Sequence, residues 1–172
     1  MVTFKHRFTT QGLIQLFVYC TFPVHVWALI NMFRDVPSWV LYMPSGDVIG
    51  SVAYTLSFAL VESLVILLVV LFVGMIVSKR WVLEKYIPMA SLWLVELSVM
   101  AIVFQHFIIH HLPKRNLVIG FALILAVSTF LVFRFPKVGE VLRWIGERLV
   151  VLSFIYFFFD LFGLLVVIVR NV

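Results

Sequence analysis

Residues 61–77 read VESLVILLVVLFVGMIV, a nearly unbroken apolar run with a single carboxylate, Glu62. In hydrocarbon every backbone N–H and C=O must be satisfied within the protein, so only helices and closed β-barrels span a bilayer. A barrel strand alternates apolar and polar residues with period two. This stretch does not alternate, and it predicts a membrane helix.

A helix crosses the bilayer core with about 20 mostly apolar residues. Five stretches meet that length: Leu13–Phe33, Gly50–Val77, Pro88–His110, Leu117–Phe133 and Leu149–Val169. The expected fold is therefore an all-α integral membrane protein of five transmembrane helices, with residues 1–172 forming a single membrane-embedded domain. Composition agrees. The 172 residues are 64% hydrophobic and 12% charged, against about 45–50% apolar and about 25% charged in soluble domains. That balance excludes a soluble domain, a disordered chain and a nucleic-acid binder.

Five spans put the termini on opposite sides. Lys5, Arg7, Lys79, Arg80, Lys85, Arg134, Lys137, Arg143 and Arg148 fall on the amino-terminal side, whereas Arg34, Lys114, Arg115 and Arg170 fall on the other. The positive-inside rule then places the N-terminus in the cytoplasm and the C-terminus outside. The expected location is the plasma membrane, with the lipid bilayer as the first partner. The N-terminal apolar run lacks a small-residue cleavage pattern and reads as a retained first helix. Cys20 is the sole cysteine, which excludes an internal disulfide and a cysteine zinc cage.

Two connectors read as short interfacial segments. DVPSWVLYMPSGD (Asp35–Asp47) carries two prolines, a Trp and a Tyr. PKVGEVLRWIGER (Pro136–Arg148) starts with Pro at a first helical position. It puts Val138, Val141, Leu142 and Ile145 on one face and offers an Arg143–Glu147 pair at i,i+4. Such a helix anchors at the membrane surface or docks a cytoplasmic partner.

The informative residues are the ionisable ones near the centres of the spans. His25, Glu62, Glu96 and Asp160 each lie within about three residues, or about 5 Å, of an estimated centre. A charge there costs about 2.5–3.5 kcal/mol on insertion scales. Helical periodicity groups Ser51, Thr55 and Glu62 on the second span, and Ser153, Tyr156, Asp160 and Gly163 on the fifth. Thr21 and His25 are one turn apart on the first. On the third, Glu96 lies opposite a stripe of Ser91, Ser98 and Gln105, which suggests neighbours on both faces. Three acids and one imidazole cannot all stay charged in a dry interior. Gathered in one midplane pocket, they would carry a proton, bind a cation, or recognise a basic or hydroxylated ligand. Each could equally be a packing device that hydrogen-bonds a neighbouring helix.

At the outer end, His106-Phe-Ile-Ile-His110-His111 places His106 and His110 at i,i+4, a spacing that suits a shared metal. The string is similar to one histidine box of membrane di-iron desaturases and hydroxylases. Those enzymes need several such boxes, and five histidines in all are too few. A mononuclear site completed by Asp35, Asp47, Met32 or Met43 would suit zinc or copper. No motif names a cofactor, and no GxSxG, HExxH or phosphate-cradling glycine loop is present.

The sequence thus predicts a small transport or ligand-binding subunit built around His25, Glu62, Glu96 and Asp160. A non-catalytic structural or accessory subunit is the alternative, and an outer-face metal-binding protein is the second. No internal repeat is visible, so a homo-oligomer or a larger membrane complex is expected. No motif implies a reaction; enzyme activity is expected only if His106 and His110 hold a metal, as a metal-dependent enzyme or a metal transporter.

Overall fold

The computed structural model describes residues 9–76, 80–107 and 114–172. They form five helices: α1 (Thr10–Tyr42), α2 (Ser45–Ile76), α3 (Arg80–Phe107), α4 (Lys114–Arg134) and α5 (Pro136–Asn171). All five are long and apolar enough to cross a membrane. Their outward faces are apolar, with Phe58, Phe72, Phe130, Phe154, Phe158 and Phe162 exposed. A multi-pass membrane protein is what such a surface fits.

Helix ends follow local chemistry. Thr9 caps α1, its hydroxyl accepting from the Gly12 N–H at 3.1 Å. Met43 and Phe135 are both extended, at φ −119°, ψ 149° and φ −121°, ψ 103°. Each precedes a proline, and the following ring disfavours helical backbone there. Pro23, Pro37 and Pro88 stay inside helices. Neighbouring helices and side chains can re-satisfy the backbone groups such prolines free.

Two sequence expectations are corrected here. Neither interfacial segment is a separate element. Asp35–Tyr42 continues α1, which runs 33 residues, and Pro136–Arg148 opens α5, which runs 36 residues. At 1.5 Å per residue these helices extend about 50 Å, beyond a hydrocarbon core of about 30 Å. The start of α5 also does not lie flat. Leu142 packs with Tyr19, Cys20 and Leu94, and Val138 and Ile145 close over that cluster. An apolar face meant for the headgroups is spent on the bundle. The expected Arg143–Glu147 pair is absent among the described residues; Glu147 instead accepts from Gln11 at 3.0 Å.

The first helix is the hub. Leu16, Val18, Tyr19, Cys20, Thr21 and His25 are almost fully enclosed, and α1 packs against α2, α3 and α5. Helix α2 turns its small residues inward, with Gly50, Ala53, Ala59 and Ser63 buried. Small side chains allow close backbone approach where lipid offers no hydrophobic drive. Backbone meets backbone closely at Gly163 of α5: a Cβ there would sit 3.1 Å from the Ala53 carbonyl oxygen and 3.3 Å from the Leu56 Cβ. Helix α4 is peripheral, packing on α3 and more lightly on α5.

The odd number of helices sets the ends of the bundle. The starts of α1 and α5 lie together, tied by Gln11 to Glu147 and by Tyr19, whose hydroxyl donates to the Leu142 carbonyl at 2.7 Å. The end of α5 meets the start of α2. There Arg170 donates to the Gly46 carbonyl at 2.8 Å and pairs with Asp47, while Asn171 donates to the Tyr54 hydroxyl at 2.6 Å.

Candidate functional site

His25 and Asp160 meet. The His25 Nε2 lies 2.8 Å from one Asp160 carboxyl oxygen and 3.0 Å from the other, and both side chains are 0% exposed. The other ring nitrogen, Nδ1, lies 2.8 Å from the Thr21 carbonyl. A carbonyl only accepts, so Nδ1 carries a proton. One further proton lies between Nε2 and the carboxyl group. Whether the imidazole or the carboxyl holds it, the pair has no net charge. That is how two titratable groups can sit in a dry interior without the cost of an unbalanced charge. Tyr156 stacks on the imidazole with centroids 5.2 Å apart and planes 7° apart.

Local sequence accounts for each position. One helical turn separates Thr21 from His25, which brings the carbonyl under the ring. Tyr156 and Asp160 are likewise one turn apart on α5, so one face presents both the stacking ring and the acid. Ser153 and Gly163 on the same face are also buried. The Ser153 hydroxyl is buried without a hydrogen-bond partner among the described residues.

Glu62 and Glu96 do not join this pair, and the expectation of one shared pocket becomes three separate settings. On α2 the buried residue is Ser63, whose hydroxyl donates to the Ala59 carbonyl at 2.7 Å. Glu62, one position earlier, lies exposed off that face and borders an open cavity of about 310 Å³ between α1, α2 and α3. Pro23, Trp27, Leu94, Ser98 and Gln105 also line it. Glu62 is its sole charged group among the described residues. Its carboxylate has no hydrogen-bond or ion-pair partner among them.

Glu96 faces the other way, towards α4. Its carboxylate accepts from the Ser128 hydroxyl at 3.0 Å, and it borders an apolar cavity of about 330 Å³ with Met100, Phe104 and Phe121. The two polar stripes of α3 therefore do face different neighbours. Ser98 and Gln105 look towards Glu62, and Glu96 towards Ser128.

The histidine string gives less. His110 lies outside the described residues, as does the side chain of His106. Of the outer residues expected to complete a metal site, Asp47 pairs with Arg170, Asp35 with Arg34 at 3.4 Å, and Met32 is buried. Among the described residues no group of three or more His, Cys, Asp or Glu side chains could hold a metal ion.

Two features escaped the sequence. The Tyr156 ring against His25 requires knowing that α1 and α5 are neighbours. A polar cavity at the amino-terminal end is assembled from four helices, and no single stretch signals it. No protein-family model, curated protein or solved structure matches the chain.

Proposed function

We propose that this chain is a small polytopic membrane subunit for transport or ligand binding. It would lie in the plasma membrane with the N-terminus cytoplasmic and the C-terminus outside. The observation that carries the reading is Glu62: a carboxylate without a partner among the described residues, facing a cavity between three spans. An intramembrane acid is expensive, and helix packing alone does not repay this one, since it bonds to no neighbouring helix. Ser98 and Gln105 supply neutral donors and acceptors, and Trp27 an aromatic wall. Together they suit a cation or a protonated amine that also bears hydroxyls.

The buried pair adds a means of coupling. Pro23 and Trp27 of α1 line the Glu62 cavity, and His25 between them holds Asp160 of α5. A ligand that shifts α1 would bear on the α1–α5 contact.

The test uses purified protein in proteoliposomes. Tetraethylammonium binding is read from tryptophan fluorescence, and proton flux from an entrapped pH dye. Glu62→Gln is expected to abolish both cation binding and any cation-coupled flux. Wild-type behaviour in that variant removes the basis of the proposal.

A second reading is favoured by one observation. The His25–Asp160 pair is fully enclosed, as a fastening would be. An accessory subunit, held together by the pair and joined to a fixed partner, would bind no cation and would copurify with that partner.

A further inference from the structure

The largest polar cavity described lies at the end of the bundle where α1 and α5 begin. Its volume is about 500 Å³, and Thr9, Gln15, Lys85, Glu140 and Arg143 are among its lining. We propose that it binds the phosphodiester of an anionic phospholipid headgroup.

The donors are in place. Lys85 donates one ammonium proton to the Phe133 carbonyl at 2.6 Å, and an ammonium has two more. Arg143 makes no hydrogen bond or ion pair among the described residues. Its planar guanidinium offers paired N–H groups that match two phosphate oxygens. Glu140, one turn before Arg143 and also without a partner among the described residues, sets the charge of the lining. Two cations and one acid leave a net charge of one, which a phosphodiester monoanion balances and a phosphate dianion would exceed.

Depth argues for a lipid as the source. The same end carries Arg134, Lys137 and Arg148 as well as the cavity's own cations. The Arg148 guanidinium stacks 4.1 Å above the Trp144 ring, and Trp is enriched at the membrane interface. Ile87, Pro88 and Val132 also line the cavity and supply apolar surface suited to a glycerol backbone and the first methylenes. The proposal requires that the helices span a bilayer. It does not require that Glu62 bind anything.

The experiment uses the full chain in detergent, titrated with phosphatidylglycerol or phosphatidylcholine and read by native mass spectrometry. Glycerol 3-phosphate and inorganic phosphate serve as water-soluble competitors. Phosphatidylglycerol should be retained in preference to phosphatidylcholine. Arg143→Gln should weaken its retention about tenfold, the scale of one lost charge-assisted hydrogen bond. Arg134→Gln removes an equal charge from an exposed residue outside the cavity and should bind like the wild type. Lys85→Gln should also weaken retention; if its lost bond to α4 unfolds the protein, Arg143→Gln carries the test alone. Unchanged retention in Arg143→Gln overturns the proposal, as does equal retention of the two lipids. Displacement of the lipid by equimolar glycerol 3-phosphate would overturn the lipid assignment in favour of a soluble phosphate ester.

Discussion

Removing one member of the His25–Asp160 pair should cost far more than removing both. In Asp160→Leu the His25 Nε2 is left in an enclosed site with no partner, and an orphaned buried group costs about 1–3 kcal/mol. His25→Leu strands the carboxyl group in the same way, and half of a buried ion pair is worse, at about 3–5 kcal/mol. The double variant fills the space with apolar atoms and should lie within about 1 kcal/mol of the wild type. With the double variant near the wild type, these single costs imply a coupling of about 3–7 kcal/mol. Interhelical hydrogen bonds in membrane proteins average about 0.6 kcal/mol because loosened groups find other partners. Here both groups are 0% exposed, so few alternatives are within reach. Asp160→Asn is the informative intermediate: its amide can donate to Nε2 while Nδ1–H keeps the Thr21 carbonyl, and its cost should stay below about 1 kcal/mol. The assay is reversible unfolding in mixed micelles, run as a double-mutant cycle. Additivity within about 0.5 kcal/mol would mean that the two residues do not act as a pair.

Other perturbations give equally definite outcomes. Gly163→Val should destabilise by about 1–3 kcal/mol through overpacking against the Ala53 carbonyl; the same unfolding assay reads it, and Gly120→Val, where an added Cβ meets nothing within 4 Å, is the control. Arg170→Gln removes a half-exposed ion pair with Asp47 and should cost less than about 1 kcal/mol, with the difference shrinking as salt is raised. Cys20 is 1% exposed, so a maleimide should leave the folded protein unlabelled and react fully after unfolding. Ser128→Ala should loosen α4, since it removes the hydroxyl that donates to Glu96; faster amide exchange confined to α4 would be the sign.

The helices were legible because apolar length in lipid admits little else. Faces were partly legible. The grouping of Ser153, Tyr156, Asp160 and Gly163 corresponds to the face of α5 that meets α1 and α2, and the opposed stripes of α3 correspond to its two sets of neighbours. Adjacency was not legible. Periodicity gives the direction in which a side chain points on its own helix, but not which helix stands opposite. His25 could have met any of three acids, and the packing of α1 on α5 selects Asp160. On α2 the eye is drawn to the carboxylate, whereas packing turns Ser63 and the small residues inward and leaves Glu62 to the cavity. Prolines misled in one direction only. Met43 and Phe135 yield before theirs, but Pro23, Pro37 and Pro88 are accommodated inside helices, so the interfacial segment expected around Pro37 became part of α1.

The histidine and the aspartate are separated by 135 positions along the chain, one on α1 and the other on α5. During translation His25 is made long before its counterpart exists. Until α5 arrives, the imidazole lacks its carboxyl partner and is a polar flaw in an apolar helix. A chain truncated before residue 160 never loses that flaw. Arrival of α5 against α1 and concealment of both polar groups are thus one event.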